Sequence, residues 1–216
     1  MKEQLQIPSP ADLAMRTARH QAGFSLIEII VVVALIIVVS AMAMVQIRPI
    51  MADADMDAAM RQVIDQIRQA REYSITNRRY VQVAFPTAVI GGGTRYEVVV
   101  TQMNSLTTGA GATNPVLTTT IIEAPAQYVL MGGPDTPDAF GNSAAIEFGG
   151  TAGGPVAGML FQSDGELVDG AAFQPINGTV FLGNPGTSTS ARAVTVLGST
   201  GRVRGWKGTG TVWTQF

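Results

Sequence analysis

The sequence predicts an α+β fold: one long amino-terminal α-helix, partly transmembrane, followed by a globular domain built on antiparallel β-sheet. Three observations carry this. From Phe24 to Ile47 the chain holds no Lys, Arg or Asp, and Glu28 is the only charge. Past that block, Met56, Met60, Val63, Ile64, Ile67, Ala70 and Ser74 recur at spacings of three and four, the period of one helix face. From Tyr80 the pattern changes to short alternating runs cut by glycine and proline, which is how strands and turns read.

Each element can be justified in order. At 1.5 Å per residue, Phe24 to Ile47 reaches roughly 36 Å, enough to cross a hydrocarbon core of about 30 Å with some tilt. Lys2, Arg16, Arg19 and His20 precede the span, and positive residues beside a first apolar helix stay cytoplasmic, so the carboxyl-terminal part is expected in the periplasm. Pro49 cannot donate to the helix ladder and is expected to kink or interrupt it at the membrane exit. Asp53 to about Arg79 then reads as an amphipathic helix, acidic at its start and basic at its end, as the macrodipole prefers. Asp57 with Arg61 and Arg68 with Glu72 are i,i+4 pairs worth tenths of a kcal/mol.

In the β region, Val81, Val83 and Phe85 alternate, Gly91-Gly92-Gly93 turns the chain, and Tyr96 to Val100 continues as a strand. Gln102 to Pro115 and Met131 to Asn142 read as polar loops. Further strands are expected at Leu117–Ile122, Ala145–Phe148 and Met159–Gln162, the last entering the hairpin signal Ser163-Asp164-Gly165 and returning as Glu166–Val168. Thr179–Leu182 and Ala193–Leu197 follow. Gly198-Ser199-Thr200-Gly201 then turns into Arg202–Trp206, and Thr211–Phe216 closes the sheet.

Composition excludes much. A length of 216 residues holds one membrane helix and one modest domain. The net charge of −2 argues against a chain that coats nucleic acid along its whole surface. There is no cysteine, and the single histidine, His20, lies ahead of the span. A chain lacking its first 23 residues therefore contains neither His nor Cys, which removes Ser-His-Asp triads, Cys-His pairs and the usual zinc ligand sets. An enzyme is not expected, nor a cofactor.

The most informative stretch is Gly23-Phe24-Ser25-Leu26-Ile27-Glu28. A carboxylate this near the start of a membrane helix costs a few kcal/mol unless something compensates it. Cleavage after Gly23 would create an α-amino group on Phe24, at i to i+4 from Glu28 and beside the positive end of the helix dipole. The motif, with the basic leader before it and the apolar helix after it, resembles the type IV prepilin family. That resemblance implies a prepilin peptidase cutting between Gly23 and Phe24 and N-methylating Phe24, and a filament in which Glu28 pairs with a Phe24 amine. It divides the chain into a leader (1–23), a transmembrane and filament-core helix (24–47), a periplasmic amphipathic half (48–79) and a periplasmic β-rich domain (80–216). The partners implied are the peptidase, other pilins or pseudopilins in a filament, and inner-membrane lipid.

A long helix followed by an all-β domain looks like the minor pseudopilins, particularly the GspH/FimT group. Ala70-Arg71 with Arg78 late in the helix, the Ser163-Asp164-Gly165 hairpin, and Arg192 to Arg204 ending in a Gly-Arg turn add to the likeness. The resemblance implies a structural subunit of a type II secretion pseudopilus or a type IV pilus, anchored once in the bacterial inner membrane. It leaves two alternatives. Gly201-Arg202-Val203-Arg204 resembles the element with which FimT-type minor pilins bind DNA in natural transformation. Arginines two apart on a strand share a face about 7 Å apart, and Arg192, Arg202, Arg204 and Lys207 follow the last acid of the chain, Asp169. The opposing reading is that they keep a late strand soluble. Ala41-Met42-Ala43 also fits a signal-peptidase site, which would make the chain a secreted soluble protein starting near Met44.

Smaller candidates have plainer readings. Trp206 and Trp213 could stack bases, but aromatics in a small β domain usually pack. Asp164, Glu166 and Asp169 offer oxygen ligands for calcium without an EF-hand spacing, so no metal site is expected. The clusters around Gly183-Asn184-Pro185-Gly186 and Gly208-Thr209-Gly210 lack the spacing of phosphate-binding loops.

Overall fold

The computed structural model describes residues 24–104, 114–130, 137–140, 144–149, 159–185, 187, 190–210 and 212–216. Among the described residues one α-helix, α1, runs Leu26–Asn77. Pro49 lies inside it without ending it, so the expected interruption is absent: the proline removes one donor, and the turns on either side keep theirs. The chain divides into two compact units between Ile47 and Arg48.

In the first unit, every described residue from Phe24 to Met44 is exposed, apolar side chains included. In the second, the helix buries one stripe. Met56, Ala59, Met60, Val63, Ile64, Ile67, Ala70 and Ser74 are all under a tenth exposed, as the three-and-four spacing predicts. The helix stops two residues short of Arg79 because Arg78 turns left-handed, with φ of 50°. The Arg79 N–H then donates to the Ser74 carbonyl at 3.1 Å, a Schellman-type closure with arginine where glycine is usual. The segments 48–79 and 80–216 are therefore one unit, with the helix as part of its core.

The strands form two antiparallel sheets. In the first, β3 (Gly93–Met103) is central. β1 (Tyr80–Ala84) and β2 (Thr87–Ile90) lie end to end along one edge, and β4 (Val116–Ile122) lies along the other. β1 continues to β7 (Met159–Phe161) and β8 (Leu167–Val168). In the second sheet, β9 (Gly178–Gly183) pairs β10 (Arg192–Leu197), β10 pairs β11 (Arg202–Gly208), and β11 pairs β12 (Trp213–Gln215). The far edge of β9 carries β5 (Gln127–Tyr128) and β6 (Ile146–Phe148). The helix stripe shares one apolar cluster with Val81, Val83 and Phe161 of the first sheet and Val180, Val194 and Val203 of the second.

Close approach fixes two positions. An added Cβ at Gly178 would fall 1.6 Å from the Phe148 ring, and one at Gly205 would fall 2.8 Å from Ile64, where β11 runs against the helix. Gly91 and Gly92, both at positive φ, make the two-residue turn between β2 and β3. β2 and β5 were not expected; β2 has a mostly exposed pattern and β5 only two residues, so neither carries an apolar alternation to read. Most of the two expected loops, with Thr211, lies outside the described residues.

Candidate functional site

At the amino-terminal end, Phe24 and Ser25 precede the first helical residue, and Phe24 is 77 % exposed. The Ser25 carbonyl accepts from the Glu28 N–H at 3.0 Å and the Ile29 N–H at 3.2 Å, so Ser25 occupies the helix N-cap. Ser25-Leu26-Ile27-Glu28 is then a capping-box spacing, serine at the cap and glutamate at the third helical position, where the macrodipole favours a carboxylate. Glu28 therefore stands in the first helical turn, where a carboxylate is favoured, whatever amine it also pairs with. The S-x-x-E spacing was the signal for it. Gly23 and the leader lie outside the described residues.

The expected basic strand is real as backbone and largely neutralised as charge. Arg202 and Arg204 do share a face of β11, with buried Val203 between them. Arg192, however, is fully buried, so it cannot serve as a surface DNA contact. Its position in β10 turns it toward α1, where its Nη2 meets Asp53 and its Nε meets Asp57 at 2.6 Å. Its Nη1 donates to the Ala191 carbonyl at 3.0 Å. Lys207 is the direct cross-strand partner of Arg192, a placement that sets two cations side by side. Asp53 relieves it by reaching Lys207 Nζ with its second oxygen at 2.6 Å. These hydrogen bonds, Lys207 first and then Arg192, hold the Asp53 carboxyl below its usual range.

Arg204 pairs with Asp138 at 2.9 Å. Asp138 sits in a short 3-10 turn (Pro137–Ala139) at a left-handed φ of 59° and also accepts from Thr195 Oγ1 at 2.7 Å. Trp206 Nε1 donates to the same Thr195 oxygen at 2.9 Å, and Trp213 packs beside Phe181 with ring centroids 6.0 Å apart. Of the four expected basic contacts, only Arg202 has no ion-pair partner among the described residues. The run of cations after Asp169 looked unopposed in sequence because its acids come from Asp53, Asp57 and Asp138.

The two expected helix pairs do not form among the described residues. Asp57 is taken by Arg192, and Arg61 lies over the Phe216 ring, 4.9 Å from its centroid. Arg68 and Glu72 instead line one cleft. Two of the three acids considered for calcium accept backbone donors within their own turns: Asp164 from the Glu166 N–H at 3.0 Å, and Asp169 from the Ala171 N–H at 2.9 Å.

Three sequence-distant features that suggested the pseudopilin likeness do meet. Arg71 Nε donates to the Gly165 carbonyl at 3.2 Å. Gly201, left-handed at φ 61°, comes so close that an added Cβ would lie 2.2 Å from that carbonyl and 2.4 Å from Arg71 Nε. Helix, hairpin and terminal turn are locked at one point.

Comparison with known families matches residues 18–44 to the prokaryotic N-terminal methylation motif. The amino-terminal segment carries a prepilin-type methylation motif. Past the motif the chain has the order of elements expected from its sequence, one long helix followed by antiparallel sheets. Among solved structures, the minor pseudopilin EpsH from the Type 2 Secretion System of Vibrio cholerae aligns at 11 % identity and a TM-score of 0.42, over 71 % of this chain and 97 % of that one. No curated protein matches the sequence. The methylation motif spans Phe24, Ser25 and Glu28, the residues that begin the helix, and continues to Met44.

Proposed function

We propose that this chain is a minor pseudopilin: a structural, non-enzymatic subunit of a type II secretion pseudopilus or type IV pilus, held in the inner membrane until it is assembled. One observation carries the reading. The methylation motif ends in a helix that is apolar on every side and exposed throughout its described residues from Phe24 to Met44. Such a helix must be covered, and its length and composition suit a bilayer first and the helices of other subunits afterwards. The basic residues before Phe24 favour a cytoplasmic leader and a periplasmic carboxyl-terminal unit.

On this reading a peptidase cuts after Gly23 and methylates the new Phe24 amine. In the membrane, the Glu28 carboxylate is tolerated near the interface and beside the helix dipole. In the filament it moves into an apolar surround, where a Phe24 amine, its own or a neighbour's, compensates it. Assembly therefore draws on the same carboxylate that is costly to leave unpaired. In bacteria carrying the native assembly machinery, Glu28→Leu is expected to insert normally but to co-purify poorly with sheared filaments. Wild-type recovery of that variant would contradict the proposed role.

A further inference from the structure

We propose that the free edge of β11 takes up an extended, carboxylate-bearing segment of another polypeptide as an added strand. The proposal goes beyond filament assembly and holds whether or not the chain enters one.

The edge is open because β12 is short. β12 covers only Trp206–Gly208 of β11, and beside it the Phe216 N–H donates to the Gly205 carbonyl at 2.9 Å. The Gly205 carbonyl thus faces the outer edge. Backbone groups of alternate residues point the same way in an antiparallel ladder, so Val203 turns its own N–H and C=O outward as well. Among the described residues no strand pairs Arg202–Arg204 on that side.

Beside this edge lies a cleft of about 460 Å³ between the last turns of α1 and the start of β11. Arg68, Arg71, Arg202 and the carboxylate Glu72 border it, with Ile75 and Val203 as apolar surface. Arg68 and Arg202 are exposed, and neither they nor Arg71 has an ion-pair partner among the described residues. Three guanidinium groups against one carboxylate leave the cleft cationic, and guanidinium binds carboxylate bidentately. Strand addition draws affinity from backbone bonds and selectivity from side-chain pockets, and both parts are present here. A nucleic-acid backbone fits less well, because it has no alternating N–H and C=O groups with which to continue the ladder beyond Val203.

The test uses the full chain in detergent micelles, labelled for amide NMR. The probes are a capped pentapeptide alternating glutamate and valine, the same peptide with lysine for glutamate, a version N-methylated at alternate amides, and a short DNA duplex. The glutamate peptide is expected to shift the Val203 and Gly205 amides saturably, and the lysine and N-methylated peptides to leave them in place. Arg68→Glu, on an exposed helix position, is expected to weaken binding at least tenfold. Absent shifts, binding that tolerates Arg68→Glu or N-methylation, or duplex DNA that moves the same amides at lower concentration would each overturn the proposal.

Discussion

Asp57→Ala should destabilise the second unit far more than Arg192→Met, although the two changes break the same ion pair. Arg192 is fully buried, while the Asp53 and Asp57 side chains keep 43 % and 22 % of their exposure. With all four groups present, the charges of Arg192, Lys207, Asp53 and Asp57 cancel. Removing the Asp57 carboxylate leaves a buried guanidinium sharing Asp53 with Lys207, one positive charge in excess. Breaking a buried pair in this sense costs about 3 kcal/mol, the lower end of the usual range because Asp53 still contacts the cation. Removing the cation instead leaves carboxylates that water can reach, and methionine fills the space with apolar volume, so the cost is about 1 kcal/mol or less. For a unit of this size, the Asp57 change corresponds to a fall in melting temperature of about 6–12 °C. Urea titration of Arg48–Phe216, followed by the fluorescence of Trp206 and Trp213 in the second sheet, reads both variants. If Arg192→Met proves as damaging as Asp57→Ala, the burial asymmetry is not what governs this cluster.

Two further outcomes follow from the same geometry. Because Asp53 has a folded-state pKa below its ordinary value of 3.8, its contribution is complete above that value and disappears as pH falls through the lower folded one. Stability of wild type should therefore drop more steeply in that acid window than stability of Asp53→Asn, and parallel curves in pH-dependent urea titrations would remove the claim. Gly201→Ala must place a Cβ on the Gly165 carbonyl and Arg71 at a left-handed φ, and should cost about 2 kcal/mol or more by strain and displaced contact. A near-neutral effect in thermal melts would show that the helix–hairpin–turn lock is loose.

The elements that could be read from sequence are those whose signal is local. The stripe from Met56 to Ser74 has the helix period, Ser163-Asp164-Gly165 has a turn composition, and β9, β10 and β11 alternate or run apolar between glycines. Charge pairing was illegible for the opposite reason. Arg192 meets Asp57 across 135 residues and Lys207 meets Asp53 across 154, and no spacing rule reaches that far. Local i,i+4 logic instead assigned Asp57 to Arg61, whose guanidinium lies over Phe216. The candidate DNA-contact set shrank for this reason: three of its four cations are answered by acids from α1 and the Pro137–Ala139 turn. At the amino terminus the reverse holds, since the cap residue Ser25 and the carboxylate Glu28 lie three apart inside the methylation motif, and local sequence holds all of it.

The most direct test of the account is intact-mass and amino-terminal sequencing of the protein recovered from bacterial membranes that contain a prepilin peptidase. The account predicts a chain beginning at Phe24 and carrying one methyl group on its α-amine. A chain that still begins at Met1 in assembled filaments, or one that begins near Met44, would contradict it.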